Sequence, residues 1–368
     1  MEAAHDNDRL IHYLRHARQA VRRGEATRFV LGNEAADLDS MASAVAYGYC
    51  ASHGSAGRES SFVPLINVPR ADYKLRTEAV FLFASVGIEP DMLTFIDEVD
   101  LSGLHAAGGI ELVLVDHNVL AAAQASLADA VVGVLDHHKD EGGFADAAVR
   151  IIAPVGSAAT LVAEQLLRED ATAMEPGLAE LLLGAILLDT VNLDPAAKRA
   201  TDRDAETTAQ LLAICGADRQ ALFERLQFEK FNVAALETGD LLRKDYKEYQ
   251  FGAVRCGIAS VLLPIAQWLE KDPDIAASLA QFAARQQLDL LLAMNAFTDP
   301  EFRRELVVWA ADRQLRERVL AFLAASELGL QAIDHPGVPG SAEVVLFSQA
   351  NAAYSRKKLQ PLLQDFLA

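Results

Sequence analysis

The chain is poor in cysteine. Cys50, Cys215 and Cys256 are all it has in 368 residues; they are isolated, odd in number, and form no CxxC. A disulfide framework is excluded, and a reducing cytoplasm suits such a chain. Long apolar runs are also missing. No stretch approaches the roughly 18 consecutive apolar residues of a membrane-spanning helix. Met1 to Arg23 is rich in charge and histidine and has no apolar core, so it does not read as a signal sequence. Basic residues are outnumbered, 33 Lys and Arg against 52 Asp and Glu, for a net charge of −19. That argues against wholesale binding of nucleic acid, whose affinity comes largely from basic surface. It does not exclude an anionic substrate in a local basic site. Arg243, Lys244 and Lys247, then Arg356, Lys357 and Lys358, are clustered late in the chain. An acidic shell around a basic cleft would focus anions inward. There is no internal repeat and no low-complexity segment.

What is present is apolar residues ordered into short runs, 51% of the chain, over a length that suits two domains. One run sets the reading: Val131-Val132-Gly133-Val134-Leu135, followed by Asp136-His137-His138-Lys139. It has the pattern of a strand buried in a parallel sheet. Its polar residues fall at the C-terminal end, where open α/β sheets bind ligands. Residues 110–115 repeat the pattern and end in Asp116-His117-Asn118; residues 28–32 lead to Asn33, Asp37 and Asp39. Asp189 closes a fourth apolar run, Leu181 to Leu188. A single Asp after such a run is ordinarily a helix cap. Four such sites with two adjacent histidines are instead what hard divalent metals need.

The remaining pattern predicts helices over 5–23, 41–51, 73–86, 157–167, 178–189 and 204–226, and strands ending at Asn33 and over 61–67, 93–96 and 149–153. A Gly142-Gly143 loop joins two of these elements, and residues 192–203 read as another loop. The alternation from 28 to 190 argues for a doubly wound parallel sheet. From about 235, strands over 250–260, 288–297, 305–309 and 343–348 with helices over 274–287 and 313–325 suit a smaller α+β domain with a mixed sheet. The expected division is a catalytic domain over 1–205, a helical linker over 206–235 and a second domain over 236–368.

These residues resemble a known family. GNEAADLDS (32–40), VDHN (115–118), LDHH (135–138) and LLDTVN (187–192) resemble the four motifs of the DHH phosphoesterases. LRKDYKEY (242–249) and SRKKLQP (355–361) resemble the signatures of the DHHA2 domain, found in family II inorganic pyrophosphatases, cytosolic-type exopolyphosphatases and prune-like proteins. The resemblance implies an active site in the cleft between the two domains. It implies two divalent metal ions, Mg2+ or Mn2+ with Co2+ as a further option. Asp37 and Asp39 would bind one metal each, Asp116 would bridge them, and His137 and Asp189 would complete the second. Asp136 would orient a histidine. His138, Lys198, Arg243, Lys247, Arg356 and Lys357 would contact substrate phosphate, with Asp116, His138 and Asn33 at the reacting centre. His117 reads as structural, and the remaining histidines as surface or packing residues.

Two departures choose among the branches. Pyrophosphatases of this type carry a metal-binding His at the position of Asn33, which an amide cannot replace. This tilts the reading toward longer polyphosphate and makes magnesium more plausible. Prune-like proteins usually alter the last His of the third motif, and here His138 is intact. The implied function is an exopolyphosphatase, in which a metal-activated water releases terminal orthophosphate. A pyrophosphatase is the alternative. A nucleotide phosphodiesterase is disfavoured because the DHHA1 signature is missing, and a non-catalytic phosphate sensor because the metal ligands are intact. The implied partner is the polyphosphate or pyrophosphate substrate, with no nucleic acid and no membrane, and a monomer or homodimer.

Overall fold

The computed structural model describes residues 7–53, 62–298, 300–335 and 343–368. His5, where the first helix is expected to start, and Ser61, at the start of the second strand, lie outside them. The chain divides into two compact units, one ending at Lys230 and one beginning at Phe231.

The first unit contains, in order, α1 (Asp8–Arg22), β1 (Arg28–Leu31), α2 (Leu38–His53), β2 (Val63–Ile66), α3 (Arg70–Tyr73), α4 (Thr77–Ser85), β3 (Thr94–Phe95) and α5 (Leu101–Gly108). There follow β4 (Glu111–Val115), β5 (Val131–Asp136), β6 (Val149–Ile152), α6 (Ala158–Asp170), α7 (Pro176–Asp189), α8 (Asp202–Cys215) and α9 (Arg219–Phe231). The strands form one sheet in the order β3-β2-β1-β4-β5-β6, every pair parallel. This is the doubly wound sheet expected, with β1 and β4 as neighbours at the point where the winding reverses. Both faces are covered, so Phe29, Leu31, Leu112, Leu114 and Leu135 have no exposed surface. Helix α7 is apolar all round and buried almost throughout, from Leu178 to Leu188. Its buried run ends at Asp189.

The second unit contains α10 (Thr238–Lys244), β7 (Tyr246–Phe251), β8 (Val254–Val261), α11 (Ile265–Lys271), α12 (Ile275–Gln286), β9 (Leu290–Thr298), β10 (Phe302–Ala310), α13 (Arg313–Ala325), β11 (Leu330–Ala332), β12 (Val344–Gln349) and α14 (Arg356–Leu367). Its sheet runs β11-β12-β10-β9-β8-β7, mixed as expected, because β8 and β9 pair parallel and the other pairs are antiparallel. One face packs on α10, α11 and α12 around Trp268, the other on α13 and α14.

Three elements differ from their sequence pattern. The strand expected over 250–260 is a hairpin, β7 and β8, turning at Gly252-Ala253. The helix expected over 204–226 is two helices. Gly216 ends α8 at φ +68°, a left-handed cap that only glycine adopts without strain. Helix α14 was hidden by Pro361 in its interior, which reads as a breaker. It forms because Leu359, Leu363 and Leu367, four apart, all bury against the sheet.

Candidate metal centre

The site is built at the C-terminal ends of β1, β4 and β5. After β1 the chain turns through Asn33, whose backbone N–H donates to Ser40 Oγ at 2.7 Å and whose side-chain carbonyl accepts from Ala36 N at 2.9 Å. Asp37 then accepts from Ser40 N at 3.1 Å and caps α2, so the capping role and the expected ligand role fall on one residue. Asp39, in the first turn of α2, is 2% exposed. Its two oxygens accept from Ala158 N and Ala159 N, at 2.6 and 2.7 Å, where α6 begins. The positive end of that helix suits a carboxylate.

Asp116 follows β4 at φ +61°, a left-handed conformation that Asp tolerates better than most residues. It is 2% exposed, and its Oδ2 accepts from the Asn33 amide at 2.5 Å. Its Oδ1 lies 3.3 Å from His137 Nε2 and 3.8 Å from His138 Nδ1. His137 Nε2 is also 3.9 Å from Asp39 Oδ2, and its Nδ1 faces the Val155 carbonyl at 3.1 Å. Asp116, His137 and His138 can each bring one donor atom within 4.8 Å of the others. Asp136, fully buried, accepts from His138 Nδ1 at 2.8 Å and from the backbone N–H groups of His137 and His138. The histidine it orients is therefore His138, whose side chain is more than half exposed and whose Nε2 is not used in this bond.

The acids of the site oppose one another. Burial, then the charge of Asp39, pushes the Asp116 carboxyl up to about 8. Burial, then the charges of Asp39 and Asp37, pushes Asp189 well above the usual carboxylate range. Burial and Asp37 raise Asp39 in the same way. Burial alone would lower the His137 ring, but its hydrogen bond to Asp116 and the charge of Asp39 raise it to about 10. Asp189 ends α7, where the helix dipole is negative and a carboxylate is unfavourable. No Lys or Arg among the described residues is ion-paired with these acids. Four carboxylates held in mutual repulsion beside imidazole nitrogens, with no Lys or Arg paired to them, fit divalent metal.

The sequence-predicted site residues fall into two groups. Asn33, Asp37, Asp39, Asp116, His137, His138 and Asp189 are brought together. Lys198 is exposed on a loop, at φ +54°. The basic residues belong to the second unit. Arg243 lies in the last turn of α10 and pairs with Asp240 at 2.7 Å. Lys247 is exposed on β7, on the same face of the strand as Tyr249 and Phe251, which pack in the cluster that α14 joins. Arg356 donates to the side chain and carbonyl of Asp245, at 2.5 and 2.8 Å, and to the Ile258 carbonyl at 3.3 Å. These bonds fasten the start of α14, from which Lys357 projects into solvent.

Two supports carried little sequence signal. Asn118, 4% exposed, donates to Asp136 Oδ2 at 2.5 Å and to the Lys139 carbonyl at 3.0 Å, and accepts from Glu141 N at 3.1 Å. It fixes Asp136 and the loop after His138 together. Asp204 does the same for the turn at 155–159; its Thr201-x-x-Asp204 spacing is a capping-box pattern that could have marked it.

A parallel sheet carrying acids and imidazoles at its winding reversal, followed by a mixed-sheet unit, defines a class of two-domain proteins. Residues 28–186 match the DHH family, N-terminal domain, and residues 224–366 match the DHHA2 domain. The chain belongs to the DHH family, in its DHHA2-bearing branch. It is 35% identical over 361 residues to exopolyphosphatase PRUNE1 of Rattus norvegicus, covering 97% of this chain and 79% of that protein. It is 33% identical to a protein named as an exopolyphosphatase in Schizosaccharomyces pombe, covering 92% and 90%. A manganese-dependent inorganic pyrophosphatase of Methanothrix thermoacetophila is 26% identical, covering 72% and 80%. No helix among the described residues is long and apolar enough to cross a membrane.

Proposed function

We propose that the chain is a metal-dependent exopolyphosphatase that hydrolyses the terminal phosphoanhydride bond of inorganic polyphosphate and releases orthophosphate. The observation that carries this reading is the cluster of Asp39, Asp116, Asp189 and His137, with carboxyls raised by burial and mutual charge and no Lys or Arg among the described residues ion-paired with them. The names of its relatives support the substrate class. Asp37, Asp39, Asp116, Asp189 and His137 are the proposed ligands of two divalent ions, Mg2+ or Mn2+. When bound, such ions acidify water and neutralise phosphoryl oxygens.

The chain's own groups do the rest. Asn33 holds Oδ2 of Asp116 and leaves Oδ1 facing His137. Asp136 fixes the His138 ring by its Nδ1, so that in this reading Nε2 faces substrate and, as the imidazolium, donates a hydrogen bond to the departing oxygen. Lys198, Arg243, Lys247, Arg356 and Lys357 are the proposed cations for the phosphates. Arg suits two oxygens at once, and Lys acts as a point charge. Arg356 already has three of its hydrogen bonds inside the fold, so in this reading it chiefly sets where Lys357 stands.

The test is phosphate release by the purified chain with magnesium from pyrophosphate, tripolyphosphate and long-chain polyphosphate, with Asp116→Asn as control. Fast release from the longer chains, little from pyrophosphate and none from the control is the expected result. Dominant pyrophosphate turnover would move the assignment to a pyrophosphatase. Release from none of the three would overturn both.

A further inference from the structure

We infer that Asp204 is a positioning residue of the metal centre, acting through the turn at residues 155–159; the inference rests on the metal-dependent reading above. Asp204 is fully buried, and no Lys or Arg among the described residues is ion-paired with it. Its carboxylate accepts from four donors. Gly156 N–H lies 3.0 and 2.8 Å from its two oxygens, Thr160 Oγ1 lies 2.6 Å from Oδ1, and Thr201 N and Oγ1 each lie 2.7 Å from Oδ2.

Capping α8 requires only the Thr201 half of this set. The other half reaches back more than 40 residues to the turn on which two candidate ligands rest. In that turn Val155 O faces His137 Nδ1, and Ala158 N and Ala159 N hold the two oxygens of Asp39. Gly156 is pressed against the residues beyond Asp189. A Cβ there would come within 2.4 Å of the Thr190 methyl and 2.7 Å of the Arg199 carbonyl. The loop that starts at Thr190 is itself constrained. Val191, Asn192 and Leu193 are consecutive left-handed residues, with Lys198 a fourth. Asp204 closes this loop onto the turn. One buried carboxylate therefore fixes the backbone that orients His137, the backbone that orients Asp39, and the far end of the loop carrying Lys198.

Asp204→Asn tests this, because at either oxygen position an amide NH2 would face a backbone N–H, of Gly156 or Thr201, that cannot accept. The readout is Mn2+ affinity of the full chain, measured from the spin-resonance signal of the free ion, at a temperature where circular dichroism shows each variant folded. Asp204→Asn is expected to weaken Mn2+ binding about 10–100-fold, the usual cost of losing a group that orients metal ligands. Thr201→Ala, which weakens the helix cap but leaves the link to Gly156, is expected to lower the melting temperature and keep wild-type affinity. If Asp204→Asn does not fold, Thr160→Val serves: it is expected to weaken Mn2+ binding, and Thr160→Ser to restore it. Wild-type affinity in Asp204→Asn or in Thr160→Val, or an equal loss in Thr201→Ala, would overturn the inference alone. A wild-type chain that holds no Mn2+ would overturn the metal reading and this inference with it.

Discussion

Asn33 carries the most specific expectation of any single residue. Its amide nitrogen is bonded to Asp116 and its carbonyl to Ala36, so both ends of the side chain are committed inside the protein. An imidazole in its place would release Ala36 and put a ring nitrogen beside Asp116. Asn33→His should therefore raise Mn2+ over Mg2+ preference, and pyrophosphate over long-chain turnover, by about tenfold, the scale of changes close to metal ligands. Steady-state phosphate release with each metal and substrate measures both ratios. A second residue is expected to act on stability alone. Glu98 is partly buried, which would raise its carboxyl, but Arg18 and Arg70 both grip it and hold it well below the usual range. A depressed carboxylate stabilises the fold at pH values above the unfolded value of about 4.3 and ceases to do so as pH falls through the folded value. Glu98→Gln should cost about 0.5–1 kcal/mol at pH 7, because solvent screens the two ion pairs, and the gap to wild type in urea unfolding should close below pH 4. At this scale the sequence was informative where a residue stood in a motif. Asn33, Asp39, Asp116 and His137 could be named in advance because each ends or follows an apolar run. Glu98 could not, and for Asp204 the capping-box spacing marks only the helix cap, since the partners that matter lie tens of residues away and no period connects them.

Among elements, the strands and helices of the first sheet were legible because burial on both faces leaves continuous apolar runs that end in polar residues. The order of those strands was not, since every run is equally apolar. The second unit was harder to read. The β7–β8 hairpin reads as one strand because the alternation continues on both sides of the turn, and α14 was masked by Pro361. The break between α8 and α9 turns on Gly216 and supplies a clean prediction. Gly216 sits at φ +68°, and a Cβ there would meet nothing within 4 Å. Gly216→Ala should thus cost only the left-handed penalty, about 1 kcal/mol. Phosphate release should be unchanged, and urea unfolding at constant slope should show the loss. A larger cost would mean that α9 depends on the cap for its packing as well as its start.

For the whole molecule, the consequence of the metal centre is a linkage between pH, metal and folding. In the metal-free chain, Asp116 is raised to about 8 by burial and the charge of Asp39, and His137 to about 10 by Asp116 and Asp39. The two face each other at 3.3 Å, so the pair holds a proton through neutral pH that the unfolded chain gives up. The unfolded values are about 3.9 for Asp and 6.5 for His. Both groups are therefore raised on folding, and both act in the same direction. Proton binding stabilises the native state at low pH, and that stability is lost as pH rises, through roughly 4–8 for the carboxyl and 6.5–10 for the ring. One retained proton corresponds to a fall of about 1.4 kcal/mol per pH unit within its window. A divalent cation displaces that proton, so saturating Mn2+ should remove the slope and raise the melting temperature most at high pH. Denaturant unfolding between pH 6 and 9, with chelator and with Mn2+, would measure it. Parallel curves with and without metal would mean that the acids of the site are not where the metal acts. In Asp116→Asn the metal-free slope itself should shrink, because the carboxyl that shares the proton with His137 is gone.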